Sequence, residues 1–484
     1  MKPIRIMRAL VCVLCLAVAG SAWAEESLQS RSQRIVNSTK LGSGKLGVLV
    51  RDLSTGEDLI SMRAGEAMVP ASNMKIVTSA AALTELGDGH VFRTELRLSG
   101  GDLIVTGNGD PGFLDPVLLE EVGSSVDAVI ARWVESVRRT GQTRFDAIVA
   151  DDRVFDRRFV HEDWPTNQLQ AWYCAQVAGI NFNDNCVDVY VSPTRTGERV
   201  SVRMEPSGVP VRLENSATTG SGKALWISRK LGGNEIVVSG RASRESTEPT
   251  FVSIDDPPMA FAGLLRERLH RAGIEVNGVR RAGPEQEVGA GRLLASVETT
   301  LPSVLLRTNR DSQNLFAESL VKHLGHRATG RPGSWEDGVA VLRGFLGERL
   351  GMTGEGVVIR DGSGLSRQNR VSPRLLVDVL ALMREDERLW PFYRDSFARP
   401  GERGTMRNRF KGEDLHGRLY GKSGYLAGTI TLSGYLVLED RVIAYSMLLN
   451  NYTNGGEEAK RMMERILIEV DDHFARAGVP AFGG

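Results

Sequence analysis

The stretch from Ser72 to Leu86 sets Met74, Ile76, Val77, Ala80, Ala81, Leu83 and Leu86 at helical spacing, and Gly87 ends it. Its apolar positions fall nearly all round the helix. A helix with one apolar stripe can lie on a surface, but one that is apolar on most sides has to be enclosed by other elements. The flanking sequence supplies candidates. Lys45 to Asp52 reads as a strand, followed by the turn Ser54-Thr55-Gly56. From His90 to about Thr300 the texture changes to short alternating segments joined by Gly-rich turns, such as Thr94 to Leu98 and Leu103 to Thr106. Helical patterns return over Pro302–Arg307, Gln313–Leu324, Trp335–Arg349 and Pro373–Arg384. The end reads strand, strand, strand, helix: Arg418–Tyr425, Thr429–Leu438, Val442–Leu449 and Gly456–Ala477. The simplest architecture is an α/β (α+β) scaffold carrying a large, mostly β insertion. The expected division is 25–90 and 292–484 for the scaffold and 91–291 for the inserted accessory region. Two small domains are expected in that region, with 187–242 nested.

The first residues have the pattern of an export signal. Lys2, Arg5 and Arg8 form a basic start, Ala9 to Ala19 is a short apolar run, and Ala22-Trp23-Ala24 is a cleavage site. Residues 1–24 are therefore expected to be removed and the protein exported to the periplasm. The alternative, an uncleaved anchor, needs about 20 apolar residues, more than this run provides. No later segment is long and apolar enough to span a membrane. After cleavage two cysteines remain, Cys174 and Cys186. In an oxidising compartment an isolated local pair reads as one disulfide closing a loop; two free buried thiols are the alternative. Lys+Arg and Asp+Glu both count 60, so no net field points to nucleic acid.

Three short motifs carry chemistry. Ser72-Asn73-Met74-Lys75 sets a hydroxyl and an amine three apart at a helix start, on one face. A serine is a weak nucleophile until a base takes its proton, and a lysine can be that base if burial or another cation lowers its pKa. Alone the pattern says little: Ser319-Leu320-Val321-Lys322 has the same spacing and reads as the face of an ordinary amphipathic helix. Ser312-Gln313-Asn314 adds a hydroxyl and an amide in a turn before a helix, where a plain helix cap would look the same. Lys422-Ser423-Gly424, on a strand-like segment, joins a cation and a hydroxyl able to hold a carboxylate to a glycine that permits close backbone approach. An exposed edge-strand lysine is the bland reading of Lys422. All three motifs in this order are far more specific than any one.

In these motifs the chain resembles the penicillin-binding proteins and serine β-lactamases. The 240 residues between Ser72 and Ser312 (312 − 72) make it similar to the class C, low-molecular-mass group, the penicillin-binding protein 4 type. Gly107-Asn108-Gly109-Asp110-Pro111, Asp361 to Arg367 with Asn369-Arg370, and Gly404-Thr405-Met406-Arg407 match the same group. Ser423 stands where the family usually has threonine. The resemblance implies a D-alanyl-D-alanine carboxypeptidase or endopeptidase acting on peptidoglycan stem peptides and acylated by β-lactams, with no cofactor and no metal. It implies that Ser72 attacks, Lys75 takes its proton, and Ser312 and Asn314 relay protons and hold the peptide amide. Lys422 and Ser423 would bind the terminal carboxylate, with Lys422 also helping to keep Lys75 neutral. The N–H groups of Ser72 and Tyr425, beside Gly424, would form the oxyanion hole. Asp151 and Arg367 match positions lining a pocket for a diaminopimelate side chain, although Asp152 competes with Asp151.

Two other readings remain. A β-lactamase needs a device for activating deacylating water, and no Glu-x-x-Leu-Asn segment is present. A non-catalytic peptidoglycan-binding protein on the same fold would be expected to have lost some of Ser72, Lys75, Ser312, Asn314 and Lys422. A metal peptidase finds little support: of seven histidines the closest pair, His323 and His326, reads as helix surface.

Overall fold

The computed structural model describes residues 26–284, 287, 289, 291–352 and 356–477; the expected signal segment lies outside them. Two five-stranded sheets dominate. The first is antiparallel throughout and runs in the order Leu419–Leu426, Thr429–Val437, Val442–Asn450, Lys45–Asp52, Asp58–Met62. An early strand thus pairs with a late one, Lys45 opposite Asn450 and Asp52 opposite Ile443. One face of this sheet packs Val48, Val50, Ile443 and Met447 against Met462, Met463, Ile466 and Leu467 of the C-terminal helix Gly456–Ala477. The N-terminal helix Leu28–Asn37, which the sequence reading did not single out, adds Leu28 and Ile35 to the same core. The other face sets Leu49, Tyr435 and Leu448 against Leu376 and Leu380 of the helix Pro373–Glu385.

The helix Met74–Leu86 lies in this second layer. Every residue from Met74 to Leu83 is buried, as its all-round apolar pattern requires. Gly87, at φ 79°, closes it by donating to Leu83 O. The helices expected between Pro302 and Arg384 form as Leu301–Asn309, Asn314–Thr329, Trp335–Leu350 and Pro373–Glu385.

The chain leaves this layer at His90 and returns at Leu301, whose N–H donates to His90 O at 2.9 Å. In between it builds the second sheet, ordered Glu275–Arg281, Arg144–Asp151, Asp102–Gly107, Val91–Ser99, Arg292–Thr300. The first and last of these five in chain order pair with each other, Val91 opposite Thr300. Smaller strand groups lie between residues 186 and 253. The region also contains two substantial helices, Val126–Arg138 and Pro257–Arg271, which bring Trp133 and Phe261 against Phe113. Both start on a side-chain cap, Ser125 and Asp256 respectively.

The disulfide expected between Cys174 and Cys186 is not formed; both are buried free thiols. Cys174 packs into the core around the Met74–Leu86 helix, whereas Cys186 opens the strand Cys186–Ser192 and pairs with Ser253. The loop between them is closed by amides instead. Asn185 donates to Gln176 O at 2.6 Å and to Asn181 Oδ1 at 2.7 Å, and Asn181 Oδ1 accepts from Ala178 N. Burial pushes the Cys174 thiol up to about 12 and that of Cys186 well above its ordinary value.

Candidate active site

Ser72 sits in the 3₁₀ turn Ala71–Asn73, at the mouth of the buried helix. Lys75, one turn on, has no exposed surface. Its Nζ donates to Ser72 Oγ at 3.1 Å, Asn314 Oδ1 at 2.6 Å and Ser363 O at 2.8 Å. All three acceptors are uncharged. Burial therefore dominates and brings the Lys75 amine down to about 7, against the opposing pull of the more distant Glu318 and Asp361.

Ser312 and Asn314 flank the start of the helix Asn314–Thr329. Asn314 donates to Tyr173 O at 2.8 Å while its oxygen faces Lys75. Lys422, on the edge strand Leu419–Leu426, is fully buried and donates to Ser312 Oγ at 2.8 Å and Ser423 O at 2.7 Å. The sequence left open an exposed edge lysine; the site instead has two buried lysines, each bonded to a half-buried serine on the cleft wall. Burial first, and the charge of Lys75 second, hold the Lys422 amine well below its ordinary value.

The edge strand is pressed against the serine turn. A Cβ on Gly424 would stand 2.2 Å from Thr431 Oγ1 and 2.9 Å from Ser72 N, so only glycine fits. Behind Lys75 the stretch Asp361 to Ser366 is held by two buried carboxylates. Glu318 accepts from Ser363 N at 2.7 Å, Gly362 N at 3.1 Å and Trp335 Nε1 at 2.8 Å. Asp361 accepts from Ser366 N at 2.6 Å, Gly364 N at 2.9 Å and Trp164 Nε1 at 3.1 Å. Burial, and then the nearby Asp361, push the Glu318 carboxyl up.

A cleft of about 1090 Å³ opens over these groups, lined among others by Ser72, Ser312, Asn314, Ser423, Gly424 and Tyr425. Arg367 also lines it, its guanidinium donating to Ala427 O at 2.9 Å. Asp151 does not. It ends the strand Arg144–Asp151, and Arg153 holds its carboxylate at 2.7 and 2.8 Å. Asp152 is likewise tied, to Arg157 and Arg281. Three acids do line the cleft, Asp163, Glu457 and Glu464, and sequence reasoning singled out none of them. Asp163 is the one beside Ser366 and Gln368. It accepts from Ser366 Oγ at 2.7 Å, Gln368 Nε2 at 2.8 Å and Arg360 Nε at 3.0 Å. Burial favours its neutral form, but Arg360 and Ser366 outweigh that and hold its carboxyl below the usual range. His323, read as helix surface, is buried beside His90 and Phe92. Among the described residues no group of three or more His, Cys, Asp or Glu is placed to hold a metal ion, and no helix is long and apolar enough to cross a membrane.

A hydroxyl beside a buried amine, a second such pair opposite, and a cleft over both define an active-site serine enzyme on a layered sheet-and-helix scaffold. The chain belongs to the D-Ala-D-Ala carboxypeptidase 3 (S13) family, whose sequence profile matches residues 28–470. A D-alanyl-D-alanine carboxypeptidase of Actinomadura sp. is 32% identical to it over 465 residues, covering 90% of this chain and 83% of that protein. The D-alanyl-D-alanine carboxypeptidase DacB of Haemophilus influenzae is 24% identical, over 87% and 88% respectively. The crystal structure of penicillin binding protein 4 from Haemophilus influenzae superposes with a TM-score of 0.75 at 22% identity, covering 91% of this chain and 99% of that one.

Proposed function

We propose that the protein is an exported, periplasmic serine peptidase. It hydrolyses D-Ala-D-Ala termini or D-amino-acid cross-links of peptidoglycan stem peptides through an acyl-enzyme on Ser72, and β-lactams acylate it as substrate mimics. The observation that carries this reading is Lys75: a fully buried amine, brought down to about 7, donating to Ser72 Oγ from 3.1 Å. In its neutral form it takes the serine proton as the oxygen attacks the carbonyl of the penultimate D-alanine. The N–H groups of Ser72 and Tyr425 face the developing oxyanion. Asn314 holds the peptide amide, and Ser312, bonded to Lys422, returns a proton to the leaving amine. Lys422 and Ser423 receive the terminal carboxylate, and Arg367 and Asp163 lie further along the cleft, where the rest of the stem peptide passes. Water then releases the acyl group.

Mass spectrometry of purified peptidoglycan after digestion tests this. Release of D-alanine, or of cross-linked dimers into monomers, is expected from the parent and not from Ser72→Ala. Unchanged peptidoglycan from an enzyme that labels with penicillin would reject the peptidase reading.

A further inference from the structure

Ser312 has a positive φ of 62°, a backbone state that costs a non-glycine residue energy and survives only where its surroundings over-determine it. Those surroundings reach into the inserted region. Arg307, on the helix leading to Ser312, is almost fully buried and answers three carboxylates at once. It meets Asp115 at 2.8 Å, Asp311 at 2.8 Å and Asp184 at 3.0 Å. Asp311 immediately precedes Ser312. Gln313, immediately after it, donates its side-chain amide to Asp184 Oδ2 at 3.0 Å and its backbone N–H to Arg307 O at 3.1 Å. One oxygen of Asp184 thus grips both sides of the Ser312 turn.

Asp184 is itself held rigidly. It is the middle of three successive residues at positive φ, Asn183, Asp184 and Asn185. Asn183 donates to Cys186 O at 3.0 Å, and Asn185 accepts from Phe182 N at 3.0 Å while donating to Gln176 O. Asp115 caps the helix Pro116–Glu121 through Leu118 N. Both anchors therefore belong to well-packed parts of the region between Val91 and Thr300.

We propose that Asp184 is a positioning residue for Ser312: through Gln313 and Arg307 it holds the strained turn that aims the Ser312 hydroxyl at Lys422. The inference rests on the acyl-enzyme reading above. It makes the inserted region part of the catalytic geometry as well as cover for the cleft.

The test is the acylation of purified protein by a fluorescent penicillin, resolved into the limiting rate and the half-saturating concentration. Asp184→Gly removes the carboxylate while tolerating positive φ. A loss of about 10- to 100-fold in the limiting rate is expected, with the half-saturating concentration unchanged, because the defect is one of aim. Asp184→Asn should restore most of the rate. It keeps an acceptor oxygen and accepts positive φ. In a Ser312→Ala background, Asp184→Gly should cost nothing further. Asp102→Asn, at a half-buried acid of the same region paired with Arg280 and not touching Arg307, should leave the rate unchanged. An Asp184→Gly rate within about twofold of the parent, or a loss undiminished in the Ser312→Ala background, overturns the proposal. If Asp184→Gly does not fold, Gln313→Leu severs one link and leaves the Arg307 cluster whole; a parental rate there overturns it equally. Labelling that survives Ser72→Ala would instead mean that the nucleophile itself is misassigned.

Discussion

Ser72-Asn73-Met74-Lys75 and Ser319-Leu320-Val321-Lys322 share a spacing, and both lysines have no exposed surface. Their company differs. Lys75 donates to a hydroxyl, an amide oxygen and a backbone carbonyl. Lys322 donates to the carboxylate of Asp156 and to Arg158 O, both at 2.6 Å, and lies 4.1 Å from the centre of the Trp335 ring. Ser319 Oγ is buried without a hydrogen-bond partner, so the second serine and lysine do not even meet. Burial lowers both amines against opposing carboxylate charge, which comes from the more distant Glu318 and Asp361 at Lys75 but from the directly bonded Asp156 at Lys322. A hydroxyl and an amine on one helical face thus become a nucleophile and its base only where the other acceptors are neutral and a cleft opens over the oxygen. With a carboxylate in place the amine is a structural cation.

The sharpest way to break this comparison is at the serines. Ser72→Ala should abolish labelling by fluorescent penicillin, while Ser319→Ala should label like the parent. Label retained by the first or lost by a folded second variant would collapse the distinction.

At the lysines the two sites should trade effects. Lys75→Met should slow acylation by about 10²- to 10⁴-fold, the share typical of a general base. Its stability should hold or rise, since a buried amine without a counter-charge is replaced by an apolar chain. Lys322→Met should acylate normally but lose about 1–3 kcal/mol in urea unfolding, because Asp156, itself only partly buried, is left without its cation.

A subtler probe is pH. The neutral form of Lys75 is the base, so the acylation rate should climb as pH rises toward about 7 and level off above it. Lys422→Met removes a neighbouring positive charge. A lysine freed of a like charge holds its proton more tightly, so the profile should move to higher pH. A Met variant with the parental profile would mean that burial alone sets Lys75 and that Lys422 serves only the substrate carboxylate.

The parts legible in the sequence were those written in local pattern. The enclosed helix after Ser72, the late strands and the three motifs all rest on spacing within a dozen residues. Asp163 was not legible, because the loop carrying it has no period and reaches the cleft through partners about 200 positions away, Arg360 and Ser366. Asp151, taken by resemblance, is not among the residues lining the cleft, and its carboxylate is held by Arg153. The helix Val126–Arg138 was legible in principle, since Val129, Ile130, Trp133 and Val137 share a face, but the strand-rich texture around it masked the signal. The disulfide failed for another reason. Two cysteines a dozen apart say nothing of the asparagine side chains that close the loop without them.

The pairing of Lys45 with Asn450 has a consequence for how the molecule comes into being. The strand holding Lys422 lies against the Ser72 turn as the edge of a sheet whose members lie some four hundred residues apart in the chain. Contacts of such long separation are slow to form, because the intervening chain must first be drawn together. The inserted sheet joins Val91 to Thr300 without needing either end of the protein, so it can assemble early and shorten the effective loop. Reactivity toward penicillin would then arrive late in folding, with the last strands, and a chain interrupted before them would carry its nucleophile with no second cation to face it.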